Sequence, residues 1–170
     1  MNITGLGTAV ENGGLMQKIM LFLYRLALPG AKKVFFQNSE NEHFFAEHNL
    51  AVGKHDMLPG SGVNVDHYSV LDYPSEDTVE FVFISRIMKE KGMDELFYAA
   101  EKLHREGQNF VLDLVGFFED EYKDKVETLQ KEGIVEFHGF QADPRPYYTK
   151  ADCIVMPSYH EGMSNVNLEA

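Results

Sequence analysis

Residues 79–116 read VEFVFISRIMKEKGMDELFYAAEKLHREGQNFVLDLVG, and the fold is decided there. Residues 79–85 are a β-branched and aromatic run with the length of a buried strand; 110–115 are a second, ending at Gly116. Between them Met93, Leu96, Phe97, Ala100 and Leu103 recur at helical spacing within 91–107, and Gly107 closes the helix. A strand, a helix and a strand in series form a crossover whose two strands lie parallel.

The same alternation continues toward the C-terminus. Tyr122, Val126 and Leu129 mark one face of a charged helix that stops at Gly133, and 134–137 is expected to be the third strand, ending at His138-Gly139. Asp143-Pro144 leads through a brief helix around Tyr147 and Tyr148 into a fourth strand over 153–156, capped by Pro157-Ser158, and residues 163–170 begin another helix. This series predicts an α/β fold, a doubly wound parallel sheet covered on both faces.

Toward the N-terminus the texture changes. Gly5-Leu6-Gly7, an apolar helix over 15–28, a strand at 33–36 and a helix from Ser39 to His48 look like the end of another α/β unit. Residues 53–74, with Pro59, Gly60, Gly62 and Pro74, have no sustained period and are expected to hold the linker. Gly60-Ser61-Gly62 follows no strand and lacks a third glycine, so it reads as a turn rather than a dinucleotide loop. The apolar helix is shorter than the roughly 20 residues of a membrane span, and its Lys18 and Arg25 are not placed as in a signal peptide. Those cations share one side, so Ile19, Phe22, Leu23 and Leu26 are expected to be buried; the alternative is a helix lying in the plane of a membrane.

Across 170 residues, 15 Lys plus Arg face 27 Asp plus Glu, a net charge of −12. That balance argues against sequence-independent nucleic-acid binding and requires any anionic ligand to be met by a few local cations. A single cysteine, Cys153, cannot form an internal disulfide or a Cys-rich zinc site, and predicts a reducing, cytoplasmic setting. No Asp-x-Asp pair or histidine cluster stands out among the seven histidines, so the chemistry is expected to need neither metal nor cofactor.

Ligands of doubly wound sheets bind beyond the carboxyl ends of the strands. The residues there are Arg86 and Lys91, then Gly116, then His138, Gly139 and Phe140, then 158–165. Arg86 offers a bidentate fork and Lys91 a mobile point charge, a set suited to a diphosphate, or else a solvated pair beside a turn. Residues 162–165 open a helix whose free N–H groups can meet an anion or a sugar oxygen, with Ser164 as a plain N-cap the alternative. Glu161 and Glu169 accept hydrogen bonds only, which suits vicinal diols. A paired-carboxylate glycosidase would leave Arg86 and Lys91 without a role.

Together these residues resemble the family 4 glycosyltransferases, retaining enzymes of the two-Rossmann-domain GT-B fold. The resemblance is carried by 83–87 (FISRI), 91–96 (KGMDEL), 114–116 (LVG), 137–140 (FHGF), 157–166 (PSYHEGMSNV) and 168–170 (LEA). Its most specific element is the pair Glu161 and Glu169. At the front, 3–7 (ITGLG), 35–38 (FFQN) and 60–64 (GSGVN) are similar to the branch that makes capsular and other surface polysaccharides. Ser85 stands where the family commonly has glycine, and Phe117-Phe118 follow Gly116 where it often has Gly-x-Gly.

The resemblance implies a chain truncated at both ends. Residues 1–57 would be the C-terminal remnant of an acceptor domain, and 58–170 part of a domain that binds a nucleotide-sugar donor, expected to bind weakly and not to turn over alone. Arg86, Lys91 and Glu161 would be catalytic. Gly116, His138, Gly139, Phe140, Gly162, Met163, Ser164, Asn165, Val166 and Glu169 would bind the donor, a UDP-sugar by the family's habit. The acceptor would be a glycan or lipid-linked glycan, met in the cytoplasm or at the inner face of the membrane. Two other classes stay open: a non-catalytic nucleotide-binding module, and a Rossmann-type NAD-dependent dehydrogenase or epimerase.

Overall fold

The computed structural model describes residues 1–7, 10, 13–72, 74 and 77–170. Its first three strands are β1 (Asn2–Ile3), β2 (Val34–Phe36) and β3 (His55–Met57), a parallel sheet in the order β1-β2-β3. Helices α1 (Gly14–Ala27) and α2 (Ser39–Glu47) lie between them in sequence. Alternation along β2 buries Val34 and Phe36, which join Ile3, Leu21, Leu28, Phe45 and Leu50 in one core. Helix α2 starts where the Asn38 side chain accepts the Asn41 N–H at 2.8 Å. It ends in a Schellman closure, with Leu50 N–H donating to the Phe45 carbonyl at 2.9 Å and the Leu50 side chain buried.

Strand β3 falls inside the stretch expected to be linker. It is short and polar, and it exists because it pairs with β2, His55 opposite Val34 and Met57 opposite Phe36. Local sequence holds no trace of that partner.

Helix α1 also corrects an expectation. Its inward residues are Leu21, partly buried Tyr24 and, in the following 3-10 turn (Leu28–Gly30), Leu28. Ile19, Phe22, Leu23 and Leu26 are 43%, 59%, 49% and 65% exposed. The helix is apolar on two sides, and Lys18 and Arg25 lie on the boundary between them, so the cations do not say which side turns inward.

The second sheet comprises β4 (Val79–Ile84), β5 (Phe110–Val115), β6 (Glu136–Gly139) and β7 (Cys153–Ile154), all parallel in the order β6-β5-β4-β7. Helices α3 (Met93–Arg105) and α4 (Lys123–Lys131) cover one face. Phe83, Leu112 and Leu114 point into that core, against Met93, Leu96, Phe97 and Ala100 of α3 and Val126 and Leu129 of α4. Helix α3 carries Asp94 and Glu95 in its first turn and Lys102, His104 and Arg105 in its last, the arrangement its macrodipole favours. Helix α5 (Arg145–Lys150) lies on the opposite face, where Lys150 reaches Glu80 and Asp113.

The third strand lies two residues beyond its expected place. Ile134 and Val135 are buried, but Ile134 N–H donates to the Leu129 carbonyl at 2.9 Å and completes the closure of α4. The apolar run is therefore shared between a helix cap and a strand, a division that period alone does not reveal. Compactness divides the chain into Met1–Val63 with Glu161–Leu168, and Asn64–His160 with Glu169–Ala170.

Candidate functional site

The chain fills β4, β5 and β6 in order and then returns to the free side of β4 to lay down β7. The strand order reverses between β4 and β7, and this switch point is where a parallel α/β sheet opens a crevice at its carboxyl edge. Arg86 follows β4 after Ser85, and Lys91 ends a 3-10 turn (Lys89–Lys91) on the same connection. Two independent devices hold that connection in place.

The first is a zipper between the loops after β4 and β5. Ile87 N–H donates to the Phe117 carbonyl at 2.8 Å, Glu119 N–H to the Ile87 carbonyl at 3.1 Å, and Lys89 N–H to Asp120 Oδ2 at 2.9 Å. It brings the Arg86 Nη1 to 2.6 Å from Glu119 Oε2, both side chains about half exposed. One arm of the guanidinium is engaged and the rest of the fork stays available to a ligand.

The second spans the switch point itself. Gly92 packs against Pro157, Tyr159 N–H donates to the Glu90 carbonyl at 3.0 Å, and the Tyr159 hydroxyl donates to Glu95 Oε1 at 2.7 Å. That hydroxyl holds the Glu95 carboxyl below its ordinary range. The segment after β7 thus braces the turn that carries Lys91.

Gly116 has a structural reason to be glycine. Its φ is +152°, and a Cβ there would overlap the Ser85 carbonyl oxygen where β4 and β5 leave the sheet. Its N–H donates to the Gly139 carbonyl at 2.9 Å, and the exposed rings of Phe117 and Phe140 stand 6.4 Å apart beside that bond. Gly116, Gly139 and Phe140 are therefore neighbours along the carboxyl edge.

His138 is placed differently from the expectation that it follows the strand. It lies on β6 at a register shift, where Leu114 pairs with Phe137 and Val115 with Gly139, leaving His138 as the extra residue. Its Nε2 is 2.5 Å from Oδ1 of Asp113, a fully buried carboxylate on β5. The other oxygen of Asp113 is ion-paired with Lys150 Nζ at 2.5 Å. Burial pulls the Lys150 ammonium down, but the Asp113 and Glu80 carboxylates more than offset it, so its pKa ends above the ordinary lysine value. Ligating atoms of Asp113, Glu136 and His138 lie within 4.8 Å of one another. The sequence conceals this cluster, because its members stand on two strands far apart in the chain. Lys150 already supplies the positive charge that Asp113 needs. A cavity of about 360 Å³ runs along Phe110, Gln130, Gly133 and Glu136 and shares only His138 with the expected residues.

The last expected segment divides between the two compact units. Glu161, Gly162, Met163, Ser164, Asn165 and Val166 group with the first. There Asn38 Nδ2 donates to the Glu161 carbonyl at 2.8 Å, while a Cβ on Gly162 would overlap the Thr4 carbonyl oxygen and lie 2.6 Å from Gln37 Oε1. Ser164 Oγ accepts the Asn167 N–H at 3.2 Å and caps α6 (Asn165–Glu169). Gln37 and Asn38, which meet this segment, belong to the 35–38 stretch quoted for the resemblance, but spacing did not place them against 161–162. Glu169 groups with the second unit, where Tyr148 donates its hydroxyl to Oε2 at 2.7 Å.

A parallel sheet with its switch point beside an arginine and a lysine defines a class, the open α/β domains that take ligands at the carboxyl edge of the sheet. Residues 78–170 match the family described as "Glycosyl transferases group 1". The chain belongs to that family, which displaces the dehydrogenase alternative. It is 27% identical over 99% of its length to the N,N'-diacetylbacillosaminyl-diphospho-undecaprenol alpha-1,3-N-acetylgalactosaminyltransferase of Campylobacter jejuni, covering 48% of that protein. It is 29% identical over 52% of its length to the capsular polysaccharide biosynthesis glycosyltransferase CapM of Staphylococcus aureus, covering 24% of it. Among solved structures, Anabaena Alr3699/HepE in complex with UDP-glucose matches 99% of this chain and 49% of its own, with a TM-score of 0.76 at 19% identity, which speaks for the fold. The chain spans about half the length, or less, of these relatives.

Proposed function

We propose that this chain carries the donor-binding part of a retaining glycosyltransferase that moves a sugar from a nucleoside diphosphate, UDP by preference, to a glycan or lipid-linked glycan in surface polysaccharide synthesis. The observation that supports it best is the pair Arg86 and Lys91 on the connection leaving the switch point, in a chain of net charge −12. The relatives' names point the same way, to a diphospho-undecaprenol acceptor in one and capsular polysaccharide in another.

In this reading Arg86 and Lys91 meet the diphosphate and stabilise the charge that builds on it as the glycosidic bond breaks. No metal or cofactor takes part. Glu161 accepts from the donor sugar's hydroxyls, the backbone of 162–166 meets sugar and phosphate, and Glu169 accepts from the ribose. Gly116, His138, Gly139 and Phe140 flank the base. The departing diphosphate helps deprotonate the acceptor on the same face, which retains the anomeric configuration. Residues 1–57 are the end of the acceptor domain. The test is a thermal melt with UDP, GDP and NAD at millimolar concentration, since a ligand bound only by the native state raises the midpoint. A shift with UDP is expected. A shift with NAD alone would overturn the reading.

The protein works at the inner face of a membrane, through α1. Leu15, Met16, Ile19, Phe22, Leu23 and Leu26 are all more than two-fifths exposed on one side of that helix. Lys18, Arg25, Lys32 and Lys33 oppose only Glu11 among residues 1–38, so this part is basic in an acidic chain. Screening over about 10 Å lets the local charge act on an anionic surface. Among the described residues no helix is long and apolar enough to cross a membrane. Phe22→Ser with Leu26→Ser is expected to lower co-sedimentation with phosphatidylglycerol vesicles about tenfold or more, since a helix lying in the interface gains only part of the transfer energy of those side chains. Equal sedimentation of variant and parent would remove α1 from the role.

A further inference from the structure

The hydroxyl of Tyr148 is a buried donor that the proposed reaction leaves without a task. Tyr148 sits on α5 with only 9% of its surface exposed, and a phenol so placed needs a partner for its O–H. That partner is Glu169 Oε2, at 2.7 Å and across 21 residues of chain. The ring is held from another side by Tyr68, edge on at 6.1 Å. Burial and the neighbouring carboxylate both push the phenol well above its ordinary value, so it keeps its proton and remains a donor.

We infer that Tyr148 is a positioning residue that fixes the Glu169 carboxylate for a vicinal diol, an inference that rests on the ribose-binding reading of Glu169 given above. An ionised carboxylate has about four acceptor positions on two oxygens. Tyr148 takes one on Oε2, which sets the plane of the group and leaves Oε1 and the second lone pair of Oε2 for two adjacent hydroxyls. A free glutamate would lose its rotamer freedom on binding, and a carboxylate already held does not pay that again. Helix α6 is only five residues long, so a bond to α5 also ties the carboxylate to a more firmly packed element.

The test is a double-mutant cycle read by calorimetric titration with UDP and with 2',3'-dideoxy-UDP, which lacks the diol; GDP and its dideoxy form serve as a second pair. Phenylalanine keeps the packing of the ring, and a melt of each variant checks folding. Y148F is expected to weaken UDP about three- to tenfold, the worth of one hydrogen bond acting through a charged group, and to leave dideoxy-UDP unchanged. In the E169A background it is expected to do nothing further. Equal weakening of both nucleotides, or additive effects of the two substitutions, would mean that Tyr148 only packs the domain and would overturn the inference. E169A binding UDP as the parent does would instead remove the ribose reading, whatever Y148F shows. Absence of binding by either nucleoside diphosphate to the parent chain would remove both.

Discussion

Arg86→Ala is expected to raise the Kd for UDP about tenfold to a hundredfold, because a guanidinium fork on a diphosphate makes bidentate charge-assisted hydrogen bonds that the point charge of Lys91 does not replace. The melting midpoint should hardly move. The ion pair lost with it, to Glu119, is about half exposed on both sides, and such pairs contribute at most about 1 kcal/mol. Among the described residues Arg86 has no buried partner whose desolvation would be left uncompensated. Glu119→Gln is the informative control, since it takes away the carboxylate that competes for the guanidinium, and it should tighten UDP about twofold. Titration calorimetry and a melt on the same samples separate the two quantities. If R86A binds UDP with the parent's affinity, the diphosphate is not held at this edge.

Gly92→Ala should do the opposite, disturbing the fold first and the ligand through it. Gly92 has φ +72°, and a Cβ there would overlap the Pro157 carbonyl oxygen and lie 2.8 Å from its carbonyl carbon. The obstacle is backbone, which cannot swing aside as a side chain would. The left-handed conformation and the overpacking together are expected to cost about 2–4 kcal/mol. For a domain of this size that lowers the midpoint by about 10 °C or more. Since Pro157 and Tyr159 brace the turn bearing Lys91, UDP affinity should fall as well. A variant with the parent's midpoint would show that the approach of Gly92 to Pro157 is looser than the geometry states.

These two residues also show how far the sequence can be read. The KG pair at 91–92 was legible as a motif, but the reason for its glycine was not, because Pro157 lies far along the chain. The helices were legible wherever one apolar face repeats and a glycine closes the last turn, as in α3 with Met93, Leu96, Phe97 and Ala100. Helix α1 was legible as a helix and misread as to its face, since Leu21 and Ile19 are equally apolar and only the packing against β2 distinguishes them. Strands β1 and β3 went unseen because two or three residues hold no period.

Chain-local physics was enough to predict the end of one α/β unit, then a parallel α/β unit with a row of cations and glycines at its strand ends: buried strands need β-branched and aromatic runs, and helices need spaced apolar residues with caps. Pairings between distant segments came only with the tertiary structure. It set the order β6-β5-β4-β7, joined Asp113 to His138 and Lys150, put the Tyr148 hydroxyl on Glu169, and turned one apolar side of α1 outward. A hydrogen bond or a buried charge depends on which group arrives from the other strand or helix, and the residues flanking it in sequence do not name that group.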